Sequence, residues 1–371
     1  MKDYFLRLNI FFYFSIILGF ISCQNGKKEQ SISSASDSHF STEKQHFEFV
    51  EPINGSFIKY NLPVTINIKF SDSTDLADSV KIYIDSKYYK TLTGKKHVIR
   101  WKETSLQVGQ KRISADVFFH GGKQESSAIV INLVSDVAPV KYSYKILKTY
   151  PHNVKAFTQG LVYENGYLYE SDGEYGQSSL RKQKLPSCEV IKDISLDSKF
   201  FAEGIALIGK EIYQVTWREQ TCFVYDKETF KVLRKYNYDI AEGWGLAWDG
   251  NKILMTDGSN DVYFIDKNNF KQVGKIEVMD DKGPVDKLNE LEYVKNRLFA
   301  NIWQKDIIVV IDPNTGKVIG ELNFAGLLKE EDKTQETDVL NGIAWNPSNN
   351  HFYITGKNWP KLFEIEIINF E

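Results

Sequence analysis

Cysteine is scarce, with three residues in 371, at positions 23, 188 and 222. A disulfide framework is therefore excluded as the device that holds this chain together. An excess of charge of one sign is also missing. The 46 basic residues nearly balance 49 acidic ones, for a net charge of −3, which removes the electrostatic footprint of a nucleic-acid binder. Histidine is thin where it would matter. From residue 142 onward only His152 and His351 occur, without His-x-x-x-His spacing, so a catalytic zinc site is not expected. Gly356-Lys357 lacks the upstream glycine and following helix of a phosphate loop.

The apolar run Ile10 to Ile21, after Lys2 and Arg7, is too short to cross a bilayer comfortably and reads as a signal peptide over residues 1–22. It ends at Ile21-Ser22-Cys23, which resembles the lipobox of bacterial lipoproteins, and that resemblance implies acylation of Cys23 as lipid attachment site. An ordinary cleaved signal is the alternative. Either way the chain is exported, and with the lipid it is membrane-anchored to the bacterial cell envelope, facing the periplasm or the outer membrane. Residues 23–45, rich in serine and without periodicity, are expected to form a flexible tether. Whether Cys188 and Cys222 pair stays open, two separate buried thiols being at least as plausible.

What the sequence does have is aromatic and β-branched residues. Aromatics reach 14%, with 20 Tyr and 24 Phe, and they favour pleated sheet, giving an all-β expectation. Apolar residues alternate at Val64, Ile66, Ile68 and Phe70, again at Val80, Ile82 and Ile84, at Ile113, Ala115, Val117 and Phe119, and at Ile129, Ile131 and Leu133. This period of two, broken by turn material such as Asn54-Gly55 and His120-Gly121-Gly122, predicts a β-sandwich over residues 46–137. Its opening Pro52-Ile53-Asn54-Gly55 and the stretch Val108 to Ala115 look like bacterial immunoglobulin-like modules. No cluster of titratable groups marks a site there.

An internal repeat occupies residues 140–371. Gly160-Leu161-Val162, Gly204-Ile205-Ala206, Gly245-Leu246-Ala247, Glu290-Leu291-Glu292 and Gly342-Ile343-Ala344 recur at intervals of 44, 41, 45 and 52 residues. Each is followed by a second apolar strand and most by a third and fourth, the period of a propeller blade. Five starts predict a five-bladed β-propeller. The last unit ends one strand short, and Tyr142 to Leu147 can supply it and close the ring. Gly326 to Asp338 is a charged insertion expected to be a surface loop with a short helix.

In such a ring the loops at one end of the inner strands converge. At the corresponding place each unit carries a polar or aromatic residue: Phe157 and Gln159, Phe201 and Glu203, Trp244, Asn289, and Asn341. Trp217, Trp303 and Lys357 follow the second strands. A packing role would favour aliphatic side chains there.

Ala156-Phe157-Thr158-Gln159-Gly160-Leu161, Phe201-Ala202-Glu203-Gly204-Ile205, Glu242-Gly243-Trp244-Gly245-Leu246, Leu288-Asn289-Glu290-Leu291, Ala300-Asn301-Ile302-Trp303, and Leu340-Asn341-Gly342 with Thr355-Gly356-Lys357-Asn358-Trp359-Pro360 resemble the plant and bacterial type of glutaminyl-peptide cyclotransferase. The resemblance spans about residues 142 to 371, and Asp172 departs mildly from the small residue usual there. It implies an aminoacyltransferase that turns the N-terminal glutamine of peptides or proteins into pyroglutamate and releases ammonia. No cofactor is required for this, and a structural calcium in the tunnel is left open. Glu203 is the expected proton shuttle, Asn289 and Lys357 stabilise the amide oxygen, and Gln159 orients the substrate. Phe157, Phe201, Trp217, Trp244 and Trp303 wall a dry pocket. Glu242, Glu290 and Glu292 are assigned no catalysis. A non-catalytic propeller that captures peptides or glycans on its indoles is the alternative; it would have no use for Glu203 and Lys357. A metal-dependent hydrolase of the lactonase kind is a second.

Overall fold

Residues 46–71, 77–94, 96–103 and 107–370 are described by the computed structural model; the leader, Cys23 and the tether lie outside them. Alternation with a period of two gives the N-terminal region a pair of antiparallel-rich sheets. Phe47–Glu51, Val64–Phe70 and Val98–Trp101 form one. The other contains Phe57–Lys59, Gln124–Val134, Gly109–Phe119, Ala77–Ile84 and Lys87–Leu92 in that order. Their inward residues, among them Ile66, Ile82, Ile113 and Ile131, are fully buried in one shared core. Each such side chain contributes about 1.5–3 kcal/mol relative to exposure.

The remainder is built of four-stranded antiparallel units. The first sheet is Thr158–Glu164, Tyr167–Asp172, Ser179–Lys184 and Glu189–Ser195, and the second is Ala202–Ile208, Glu211–Thr216, Thr221–Asp226 and Val232–Asn237. The third is Leu246–Trp248, Ile253–Thr256, Asp261–Ile265 and Gln272–Glu277, and the fourth is Leu288–Val294, Arg297–Ile302, Ile307–Ile311 and Val318–Asn323. In the fifth, Leu340–Asn346, His351–Gly356 and Lys361–Ile367 are completed by Tyr144–Pro151, which pairs antiparallel with Lys361–Ile367. The first strands of the five sheets touch in sequence, and that of the fifth returns to that of the first.

The segment read as one strand from Tyr142 divides at Ser143. Val140–Tyr142 joins the fourth sheet, parallel to Val318–Asn323, before the chain passes to the fifth. The charged insertion contains a single 3-10 turn, Glu330–Asp332.

Repeated glycines explain the tight centre. A Cβ on Gly160, Gly204 or Gly245 would come within 3.0 Å of backbone atoms in the next sheet, so no larger residue fits at those three positions. The fourth unit carries Glu290 at this position instead. Its buried carboxyl accepts from Leu161 N at 3.2 Å and Ile343 N at 2.8 Å, tying the fourth sheet to the first and the fifth.

The N-terminal pair of sheets is fastened to the third and fourth sheets of the ring. Lys317 Nζ donates to Asp136 Oδ1 at 2.6 Å and lies 4.0 Å from the centre of the Tyr60 ring, while Ser135 N donates to Asp280 O and Val108 N to Thr315 O. Cys188 and Cys222 are both free thiols, the second fully buried.

Candidate active site

A recurring backbone bridge positions the site. In the first, second, fourth and fifth sheets the residue just after the second strand donates its N–H to a carbonyl just before the first strand: Gly173 to Phe157, Trp217 to Phe201, Trp303 to Lys287 and Lys357 to Val339. Trp217, Trp303 and Lys357 are therefore structural equivalents that project at the same mouth of the ring. Gly173 occupies that place in the first sheet. A Cβ there would lie 2.5 Å from Cε1 of Phe201, so its absence lets the phenyl ring fill the gap.

The structure brings all the expected residues together. Phe157, Gln159, Phe201, Glu203, Trp217, Trp244, Asn289, Trp303 and Lys357 line one cavity of about 260 Å³, and Asp338, which the sequence did not single out, completes it. The rings form two groups, joined through the Glu242 carboxylate that both Trp217 and Trp244 donate to. Phe157 meets Phe201 edge-on at 6.1 Å, Phe201 meets Trp217 at 5.6 Å, and Trp244 meets Trp303 edge-on at 5.6 Å.

An acidic and a basic side chain share this apolar enclosure. Glu203 and Lys357 are each 4% exposed. Burial raises the Glu203 carboxyl well above the usual carboxylate range, with Glu242 and Glu219 adding to the rise and Lys357 opposing it. Burial likewise lowers Lys357, opposed by Glu203, Asp338 and Glu174. The ammonium lies over the face of Phe157, 4.5 Å from its centre, which compensates some of its lost hydration.

A polar relay sets the carboxyl. Gln159 Nε2 donates to Glu203 Oε1 at 3.1 Å, and Gln159 Oε1 accepts from Asn341 Nδ2, which also donates to Thr158 O at 2.8 Å. Asn341 thereby fixes which way the Gln159 amide faces. Asn289 Oδ1 is buried without a hydrogen-bond partner among the described residues, so this oxygen is poised to accept from an N–H group that the cavity would receive.

Glu242 is a holder of indoles. Its Oε2 accepts from Trp217 Nε1 at 2.8 Å and Trp244 Nε1 at 3.1 Å, and its Oε1 from Arg218 Nε at 2.9 Å. Burial pushes its pKa up, but the two indoles and Arg218 more than offset this and hold it below the usual value. The Arg218 guanidinium also stacks 3.8 Å from the Trp217 ring centre. Glu242→Ala leaves both indole N–H groups unpaired and frees the rings, so KM is expected to rise about tenfold, with kcat reduced less; steady-state kinetics checks this.

Glu290 and Glu292 stay off the cavity lining and accept from backbone N–H groups of the first and fifth sheets. Behind the first sheet, Glu170 joins His152 at 2.8 Å, Thr158 at 2.7 Å and Gln183 at 2.7 Å, and Arg181 pairs with Asp172. That buried network braces the strand that carries Gln159. Among the described residues no group of three or more His, Cys, Asp or Glu side chains is arranged to hold a metal ion.

Fold and cavity together define an all-β protein in which a buried carboxyl, an amide and an amine line one aromatic-walled cavity. Residues 122–367 match the family model for glutamine cyclotransferase. A glutaminyl-peptide cyclotransferase of Arabidopsis thaliana is 38% identical over 228 residues, covering 60% of this chain and 71% of that protein. The crystal structure of Myxococcus xanthus glutaminyl cyclase aligns with a TM-score of 0.58 and 35% identity over 62% of this chain and 98% of the other. The chain belongs to the glutamine cyclotransferase family. The matched span opens at residue 122, ahead of the strand Gln124–Val134 and earlier than the resemblance read from about residue 142.

Proposed function

We propose that the protein is a glutaminyl-peptide cyclotransferase whose catalytic unit is a five-bladed propeller, preceded by an immunoglobulin-like spacer and exported on a lipid anchor at Cys23. The observation that carries the reading is the burial of Glu203 and Lys357 with Asn289 in one aromatic cavity.

The α-amine of the N-terminal glutamine attacks its own side-chain amide carbon, the C–N bond to the amide nitrogen breaks, and ammonia departs as the lactam closes. The α-ammonium has an ordinary pKa of about 7.7–8.0, and the rise of the Glu203 carboxyl by burial narrows the gap between the two groups that exchange the proton. Glu203 takes one proton from the α-ammonium, which frees the nucleophile, and passes it to the leaving nitrogen; the second proton, shed as the α-nitrogen becomes the lactam N–H, departs with the ammonia as ammonium. Lys357 and the amide of Asn289 meet the negative charge that develops on the amide oxygen, in a site where exclusion of water strengthens both contacts. Gln159 keeps Glu203 in register through the Asn341 relay. The indoles of Trp217, Trp244 and Trp303 exclude water and match the flat ring of the product.

No cofactor takes part in these steps. The purified protein is expected to release one ammonia per glutamine-initiated peptide cyclised, in EDTA as in its absence. A protein that binds such peptides without releasing ammonia would overturn the enzyme reading in favour of a binding module, and loss of activity in EDTA would overturn the metal-free chemistry.

A further inference from the structure

A peptide substrate has more to place than its first residue. Under the cyclisation reading, on which this inference rests, the glutamine occupies the aromatic cavity and the rest of the chain must leave it. Phe157 and Asp338 line that cavity and also a second, larger one of about 550 Å³. The two spaces therefore meet at a shared wall.

The second cavity differs in chemistry from the first. Glu174, Glu336 and Asp338 bring three carboxylates to its lining against the single ammonium of Lys155. One side is contributed by the segment that follows the second strand of the first sheet, and the other by the end of the charged insertion. Both sides are tied to the strands that carry the active site. Asp338 N donates to Lys357 O at 2.9 Å, and Asn358 N donates to Ala156 O at 2.7 Å. Asn358 Nδ2 also donates to Val154 O at 3.0 Å. The volume lies within the range of about 300–1,000 Å³ typical of ligand sites. Two residues of extended peptide reach only about 7 Å, so a short stretch of chain suffices to enter it.

We propose that this second cavity receives the two residues that follow the N-terminal glutamine, and that its carboxylates make the enzyme prefer basic side chains there. The contacts lie at a solvent-facing rim, where single ion pairs are weak. Several of them acting together select between opposite charges by about tenfold at low ionic strength, and salt erodes the selection.

The test compares kcat/KM for Gln-Arg-Arg, Gln-Ala-Ala and Gln-Glu-Glu amides, on the full chain and on the double variant Glu174→Gln with Glu336→Gln, each rate normalised to the same protein's rate on Gln-Ala-Ala amide. The wild type is expected to favour the Arg peptide over the Glu peptide by about tenfold at low salt, and by less than about threefold near 0.5 M salt. The double variant is expected to lose most of that preference while it still cyclises the neutral peptide. Equal rates on all three peptides, or a preference that survives both substitutions, would overturn the subsite with cyclisation left standing. Failure of the wild type on every peptide would instead overturn the cyclisation reading itself.

Discussion

Glu203→Gln is expected to lower kcat by about 10²–10⁴-fold while changing KM far less, because the amide keeps the shape and the hydrogen-bonding reach of the carboxyl but carries no transferable proton. Ammonia release under saturating peptide measures kcat, and peptide binding to the variant shows whether the cavity is intact. The pH profile carries a second signature. Under the proposed shuttle, turnover needs one proton shared between Glu203 and the α-amine. As pH falls through the lower of their two pKa values, both become protonated and no base remains. Burial raises Glu203, so the acid limb of kcat/KM is expected well above the ordinary glutamate value of about 4.3. In Glu203→Gln that limb should flatten to the titration of the substrate amine alone. Unchanged kcat in the variant would remove Glu203 from the chemistry.

Glu290→Ala is expected to be among the most destabilising single changes in the ring of sheets, by about 2–5 kcal/mol. The loss has two sources. The N–H groups of Leu161 and Ile343 lose their acceptor where no water replaces it, and a void opens among strands packed closely enough to demand glycine elsewhere. Urea unfolding should show a lower midpoint with an unchanged slope. Glu290→Gln should fall between, since one carbonyl oxygen replaces two acceptor oxygens. Burial also raises the Glu290 carboxyl well above its usual value, with Glu292 adding to the rise, and lifts Glu292 to about 8. Both groups therefore hold a proton in the folded protein that the unfolded chain gives up near pH 4.3. The wild type should accordingly lose stability as pH rises from about 4.3 towards 8, and the Gln variant should lose less over that window. A midpoint for Glu290→Ala equal to that of the wild type would show that the carboxyl does not join the sheets.

Much of the site was legible in the sequence because its residues repeat. Phe157, Phe201 and Trp244 before first strands, and Trp217, Trp303 and Lys357 after second strands, fall at corresponding points of a unit about 45 residues long, and the structure gathers them at one mouth. The alternation of apolar residues likewise marked Val64–Phe70 to the residue. Asp338 escaped because the charged insertion occurs once and has no counterpart in the other units. Glu242 and Asn341 were visible as polar residues, but their partners, two indoles and the Gln159 amide, lie in other segments that no local pattern connects to them. Glu290 breaks the glycine series of the repeat starts, and the sequence carries no sign that its side chain supplies acceptors across the centre. The division at Ser143 was illegible for the same reason, since a parallel partner nearly 180 residues away leaves no trace in the alternation of Val140 to Leu147.

That division has a practical side. Residues 140–151 are the outermost strands of two different sheets, contributed by the stretch that also links the N-terminal sheets to the ring. Trimming the protein back to residue 152 would strip both sheets at once and leave Lys361–Ile367 as an open edge for a second copy to pair with. A cut that removes the leading sheets but keeps both edge strands must fall upstream of Val140, and it still breaks the contacts of Lys317 with Asp136, Asp280 with Ser135 and Thr315 with Val108.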